Sequence, residues 1–360
     1  MKLCFKGLLR VKSDQTFDFH GRVGLRIQTE NSFAADYFGA EYGPASGPIS
    51  AKLPEVVLRW TASGLPRRPG AYYRLKIHKG LARWYYRIHF EAEAILIEAT
   101  GNKMAVPMVH HMLVHGCLRY LCSRHDTLLI HAAAVAHRGR SLVLAGSGGV
   151  GKTAVSSLML DQGGPNWELH ADDYVFLTSK GHTYSYPSRA HLYLNLLREV
   201  PGAAGQLGTR QRAHLTLFGL VRQISGERIK WPLRVEPSLL WPDRGTAEQA
   251  RMRALLLLDR HVEKEIRLER IEDSERLVDQ LIEVNFKEAR HTVELFAGFD
   301  PPLDYLEQWE ARERETLRRA LQNAPAYRLW LPRRTHLNRK RLVTELQRLM
   351  IPEDDGRVDD

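Results

Sequence analysis

The stretch HAAAVAHRGRSLVLAGSGGVGKTAVSSL, His131 to Leu158, decides how the chain is read. Its second half is Gly146, Ser147, Gly148, Gly149, Val150, Gly151, Lys152 and Thr153, which satisfies G-x-x-x-x-G-K-[ST] completely. Glycines let a backbone turn several N–H groups inward at one anion. A helix entered directly from such a loop adds the positive end of its dipole. Lys152 can then reach terminal phosphates as a mobile point charge, and the Thr153 hydroxyl can bind Mg²⁺, which prefers oxygen ligands. The context agrees with the spelling. An apolar strand, SLVLA, runs in, and a helical pattern, TAVSSLMLDQ, runs out to the stop at Gly163 and Gly164. Binding of a nucleoside triphosphate is the strongest expectation in the chain.

Upstream, LLIHAAAVA reads as another strand, joined to SLVLA by the tight turn HRGR. A parallel crossover needs about a dozen residues or more. The two strands should therefore form an antiparallel hairpin, which argues against the common GTPase and helicase topology. Downstream, WELHADDYVFL reads as a strand interrupted by Asp172 and Asp173, the first of them twenty residues beyond Lys152. One carboxylate near a terminal phosphate can help position Mg²⁺, and a second can accept the proton of an attacking hydroxyl. Adjacent residues on an ideal strand point to opposite faces, so both acids reach one site only at a strand end or a bend.

These residues resemble the catalytic domain of the HPr kinase/phosphorylase family, whose loop architecture is shared with ATP-dependent phosphoenolpyruvate carboxykinase. The shared order is a leucine-histidine strand, a short turn, a strand, the glycine loop, a helix and A-D-D. Here it is carried by LLIHAAAVA, SLVLA, GSGGVGKT and HADD. The resemblance covers residues 127 to 180 well and extends more loosely to about 290. It implies an α/β P-loop kinase domain with a mixed sheet. It also implies that His131 joins the acids in the active site, although alone it would read as a core histidine. Residues Gly146 to Thr153 would hold ATP, Thr153 and Asp172 would hold Mg²⁺, and Asp172 would be the general base. Asp173 and His131 would orient and tune it. The implied reaction is transfer of the γ-phosphoryl group to a hydroxyl, most simply serine or threonine of a peptide or protein. A small-molecule kinase and a slowly hydrolysing or non-catalytic ATP-binding regulatory module are the alternatives. The family's glutamate-arginine-glycine signature is missing, and the corresponding region reads YPSRAHLYLNLLREVPG. Glu199 is read as no substitute for the family's metal-binding glutamate, and Arg189 as a surface arginine. HPr itself and the reverse phosphorolysis are therefore not implied.

The remainder sets the frame. With 360 residues, 44% of them apolar, the chain is long enough for about two or three domains. Three are expected: a β-rich domain over 1–104, the loop-bearing domain over 105–300 and a charged helical segment over 301–360. The first contains the alternating stretch YYRIHFEAEAILIEA, read as one half-buried strand after a turn at Gly80, with loops at 38–48 and 64–70. A helix follows Pro107 with Met108, Met112, Leu113, Leu118 and Leu121 near one face. It also carries His110, His111 and His115. His111 and His115 could face one metal, but no carboxylate completes H-E-x-x-H, so they are read as surface or packed imidazoles. MRALLLLD at 252–259 reads as a buried strand, and SERLVDQLIEVNF at 274–286 as an amphipathic helix. Helices are also expected near 303–321 and over 341–350, ahead of an acidic tail.

The net charge of +10 is diffuse except in PRRTHLNRKR at 332–341, read as a solvated loop, and no nucleic-acid recognition motif is present. No apolar run approaches the roughly 20 residues of a spanning helix, and the N-terminus lacks a signal-peptide pattern. Cys4, Cys117 and Cys122 have no zinc-ligand spacing and fit reduced thiols in a cytoplasm. Oligomerisation is compatible with everything above.

Overall fold

A computed structural model of the chain describes residues 12–61, 75–79, 81–187, 189–194, 196–225, 233–296, 305–332 and 338–350. Cys4, the loop at 64–70, Gly80, the centre of the basic stretch at 332–341 and the acidic tail lie outside the described residues. The chain is α/β with mixed sheets. Among the described residues no helix is long and apolar enough to cross a membrane. Two compact units emerge, Met1–His125 with Lys287–Arg312, and Asp126–Phe286 with Glu313–Asp360. This division differs from the boundaries expected at 104 and 300. The helical run after Pro107 belongs to the first unit, and the C-terminal segment is divided between the two.

The first unit holds strands β1 (Ser13–Phe19), β2 (Val23–Thr29), β3 (Glu55–Trp60), β4 (Leu75–Lys79), β5 (Ala82–Phe90) and β6 (Ala94–Gly101). They form one sheet in the order β1-β2-β3-β6-β5-β4, with β3 parallel to both β2 and β6. The alternating stretch expected to be one strand is instead the hairpin β5–β6. The chain reverses at Glu91–Glu93, with Phe90 opposite Ile95 and the Glu91 N–H donating to the Ala94 carbonyl. The physical reason lies in β6, which is buried along almost its whole length and takes a central place between β3 and β5. The glutamates stay solvated at the turn. A helix over Ser32–Tyr42 starts at Asn31, whose side-chain oxygen accepts the Ala34 N–H at 3.2 Å. It adds Phe38 and Tyr42 to a buried aromatic core with Phe17, Phe19, Trp60 and Trp84. The helical run from Ala105 to Ser123 is interrupted by a π turn over His110–Val114, where the His115 N–H donates to the His110 carbonyl. Cys117 and Cys122 are buried, as small apolar residues would be, and burial pushes the Cys117 thiol well up.

The second unit begins with β7 (Thr127–Ile130), β8 (Ala132–His137) and β9 (Arg140–Ala145), followed by β10 (Trp167–Ala171), β11 (Val175–Thr178) and β12 (His182–Ser185). A two-stranded ribbon of β13 (Ala190–Leu192) and β14 (Leu233–Val235) comes next. Then follow β15 (Gln249–His261), β16 (Arg267–Arg270) and β17 (Ala326–Pro332). The main sheet runs β10-β8-β9-β15-β12-β11-β7, with β17 on β15 and β16 on β17. As expected, β8 and β9 form an antiparallel hairpin. Its two loop residues, Arg138 and Gly139, have φ of +51° and +74°, the positive pair a tight right-twisted hairpin demands. On its other side β9 pairs in parallel with β15. Alternate residues of β9 serve two cores. Leu142 and Leu144 pack with Leu158 and Met159 of the helix Lys152–Gln162 and with Leu342 and Leu346 of Arg339–Met350. Val143 and Ala145 pack with Leu277 and Leu281 of Ser274–Glu288. Burial on both faces is why SLVLA is an unbroken apolar run. The C-terminal segment is not only helical, because β17 lies parallel to β15 and carries the sheet beyond it.

Two strands break where the sequence placed its polar residues. LLIHAAAVA divides at His131 into β7 and β8, and WELHADDYVFL divides at Asp172–Tyr174 into β10 and β11. Pairing of β8 with β10 reaches Ala134 and Ala171, and pairing of β7 with β11 resumes at Ile130 and Val175. Residues 131–133 and 172–174 thus lie opposite one another in a gap between two ladders.

Candidate active site

The glycine loop has the backbone its spelling requires. Gly146, Gly149 and Gly151 have φ of +143°, +81° and +119°. A Cβ on Gly146 would stand 2.8 Å from the Leu258 carbonyl oxygen, and one on Gly151 would stand 2.9 Å from the Arg260 guanidinium. Gly146 therefore excludes a side chain by space as well as by conformation, whereas at Gly151 the positive φ is what excludes it. Ser147, Gly148 and Gly149 are exposed at the crest, and Val150 is tucked under it. The helix that follows begins at Lys152, with Gly151 as its N-cap and no side chain capping it among the described residues. The Lys152 side chain is buried and turns back across the loop. Its ammonium donates to the carbonyls of Gly146 at 2.7 Å and Ser147 at 3.4 Å.

The strand break brings the two aspartates to this loop. Asp172 is buried, accepts the His191 backbone N–H at 3.2 Å and faces the Thr153 hydroxyl. Burial, and then the charge of Asp173, hold its carboxyl above the ordinary value, against the opposing pull of His191 and Thr153. Asp173 goes the other way. Burial alone would raise it, but the hydrogen bond from His191 and the positive fields of His131, His191 and Lys152 hold it well below the ordinary value. The neighbouring acids are thus driven apart, one toward a proton acceptor of useful basicity and one toward permanent charge. His131 sits at the break in its own strand. Its N–H donates to the Asn285 side-chain oxygen at 3.0 Å, and its ring meets Tyr174 edge to face at 5.3 Å. Asn285 also donates to the Leu129 carbonyl at 3.4 Å and to Glu313 at 3.2 Å, so one buried amide ties the bend on both sides. All the sequence-selected residues, Gly146 through Thr153, His131, Asp172 and Asp173, are gathered in this one region.

Two further participants were not legible beforehand. His191 lies on β13 between the buried Ala190 and Leu192, with its Nδ1 3.4 Å from the Asp173 carboxylate. Burial would lower its pKa, but the bond to Asp173 and the charges of both acids raise it, with Arg234 opposing. The alternation in AHL was the available signal, since it sets His191 opposite to its two apolar neighbours. The second is Arg260, at the end of β15. It packs against Gly151, donates to the Pro332 carbonyl at 2.6 Å and lies within electrostatic reach of Glu199. Arg189, read as a surface arginine, lines an open surface cleft of about 510 Å³ with Arg234, Gln211, Glu236 and Ser238. Tyr193, two residues beyond His191, carries the Arg222 guanidinium 5.0 Å over its ring.

The donor set suits a polyphosphate. An exposed glycine crest, a helix N-terminus, the Lys152 ammonium and the Arg260 guanidinium lie together, and the Thr153–Asp172 oxygen pair suits Mg²⁺. The sequence matches no protein-family model and no curated protein.

Proposed function

We propose that the chain is a Mg-ATP-dependent kinase of the HPr-kinase-like type, transferring the γ-phosphoryl group to a hydroxyl of a peptide or protein serine or threonine. The observation that carries this reading is Asp172. It is a buried carboxylate held above its ordinary pKa, facing the Thr153 hydroxyl in the first turn of the loop's helix. A base is most effective when its pKa lies near the working pH, and an ordinary carboxylate lies far below it.

Gly146 to Thr153 bind the triphosphate, and Lys152 exchanges its two carbonyl partners for phosphate oxygens. Thr153 and Asp172 would hold Mg²⁺, which would supply neutralisation of the phosphate charge. Asp172 accepts the acceptor's proton as its oxygen bonds to the γ-phosphorus, and ADP departs with the electrons of the broken P–O bond. Asp173, charged and paired with His191, holds that imidazole against the site, and Asn285 fixes the bend carrying His131. The cleft lined by Arg189 and Arg234 gives the acceptor a place to dock.

The test is label transfer from γ-labelled ATP to candidate peptides by the wild type and by Asp172→Asn. Loss of a general base costs about 10²–10⁴ in rate, and the variant should still bind ATP. Because Asp172 is charged at a cost in the fold, the neutral amide should leave stability equal or slightly higher at pH 7. Label recovered only as free phosphate with every acceptor, or a variant that transfers as well as the wild type, would overturn the reading. The first outcome would favour an ATP-binding regulatory module, and the second would take the role of base away from Asp172.

A further inference from the structure

Three imidazoles of the first unit meet at one point. His110, His111 and His115 each offer a ring nitrogen, and these nitrogens all lie within 4.8 Å of one another. His110 and His115 are buried, whereas His111 is half-buried. Their spacing, i, i+1 and i+5, would not converge on a regular helix, where 3.6 residues per turn set i+5 about 140° away from i. The π turn over His110–Val114 narrows that angle, because its i to i+5 hydrogen bond carries His115 round toward His110, and the two rings meet edge to face with centroids 4.4 Å apart. Single π turns inside α-helices give up regular bonding and are frequent at functional sites.

The polar atoms around His110 are also crowded. Its Nε2 lies 2.9 Å from the Nε2 of His115 and is in contact with the Tyr42 hydroxyl as well. Its Nδ1 lies 2.8 Å from the Tyr37 hydroxyl. A neutral ring nitrogen has one proton or one lone pair, so His110 Nε2 cannot serve His115 and Tyr42 equally. A cation between the rings would take one nitrogen of each and relieve this competition.

We propose that His110, His111 and His115 form a binding site for a zinc-like divalent transition-metal ion. Imidazole nitrogens suit zinc, copper and nickel, whereas Mg²⁺ and Ca²⁺ select oxygen. In tetrahedral zinc sites with bonds of about 2.0–2.1 Å, ligand nitrogens stand about 3.3 Å apart. That separation falls between the 2.9 Å of the close pair and the 4.8 Å that bounds the group. With Nε2 on the metal, His110 donates its Nδ1–H to the Tyr37 oxygen, the outer hydrogen bond that fixes the tautomer of a metal-bound imidazole. Half-buried His111 provides the entry route. Three protein ligands leave the fourth tetrahedral position to water or to the Tyr42 oxygen. The site draws on none of the residues assigned to phosphoryl transfer, so it stands or falls apart from that function.

The test uses the full chain without a histidine tag, stripped by a chelator and dialysed against micromolar Zn²⁺. Bound metal is then measured by mass spectrometry, and Co²⁺ substitution is followed in the visible spectrum. One equivalent of zinc and the intense absorption of tetrahedral cobalt are expected. His111→Ala, whose ring is partly exposed, should keep its far-ultraviolet circular dichroism and weaken zinc binding at least about tenfold. His115→Ala should do the same if it folds. Asp172→Asn should retain the metal. A wild type that takes up no zinc, or a folded His111→Ala with unchanged affinity, would overturn the proposal.

Discussion

Replacing His191 with glutamine separates the charge of this residue from its other contacts. The backbone N–H that reaches Asp172 remains, and the new amide can still donate to Asp173. What disappears is a titratable positive charge 3.4 Å from the Asp173 carboxylate, with side chains 16% and 34% exposed. The folded pKa of His191 is raised, so its contribution to stability is complete below the unfolded value of about 6.5 and fades as pH rises through the folded value. Asp173 is depressed, so its contribution is present above about 3.9 and fades as pH falls. The pair therefore stabilises most between about pH 4 and 6.5. A hydrogen bond to a charged group contributes about 1.5–3 kcal/mol, and an exposed ion pair about 0.2–1 kcal/mol. The partial exposure here argues for about 1 kcal/mol, a fall of roughly 2–4 °C in Tm for a unit of this size. Melts of wild type and variant from pH 4.5 to 9 should show the gap widest at the acidic side of neutrality and closing above it. Catalysis should respond as well. His191 pulls Asp172 downward, so its loss leaves burial and Asp173 less opposed, and the acidic limb of the kcat profile should move to higher pH. A Tm gap independent of pH, or an acidic limb that stays in place, would refute the reasoning.

Asn285→Ala strands the His131 N–H and the Leu129 carbonyl in the interior, at a cost of about 1–3 kcal/mol, and should lower Tm and kcat while leaving ATP affinity within about threefold. An unchanged Tm would count against the tie. Arg260→Met should weaken ATP binding severalfold at low ionic strength, and calorimetry should show the difference shrinking at high salt as the charge is screened. Equal affinities at low salt would remove Arg260 from the phosphate site.

The hairpin and the glycine loop were legible because local chemistry dictates them. HRGR leaves room only for a tight turn, and Gly146, Gly149 and Gly151 are needed wherever φ is positive. The bend at the acids was legible as a requirement, since adjacent aspartates can share a site only where a strand breaks. Its matching break at His131 was not, because LLIHAAAVA is apolar on both sides and the interruption comes from Asn285, 154 residues away. His191 stayed hidden for a related reason. Its role comes from the short β13–β14 ribbon, whose partner strand lies more than 40 residues downstream. The segment AYRLWLP was passed over between two strong helical patterns, although its alternation of larger apolar side chains already had a period of 2. YYRIHFEAEAILIEA misled for the opposite reason, because its alternation continues through the residues where the chain reverses.

The two units are interleaved along the polypeptide, and this governs how the protein can come into being. On the ribosome, the strand that extends the second unit's sheet, Ala326–Pro332, emerges well after the β15 edge it covers. Until then the Leu255–His261 edge of β15 waits without its parallel neighbour, exposing ladder groups that invite wrong partners. The chain passes between the units three times, and a gene cut at 286/287 would leave both units incomplete, whereas a cut at 125/126 or 312/313 would leave one of them whole.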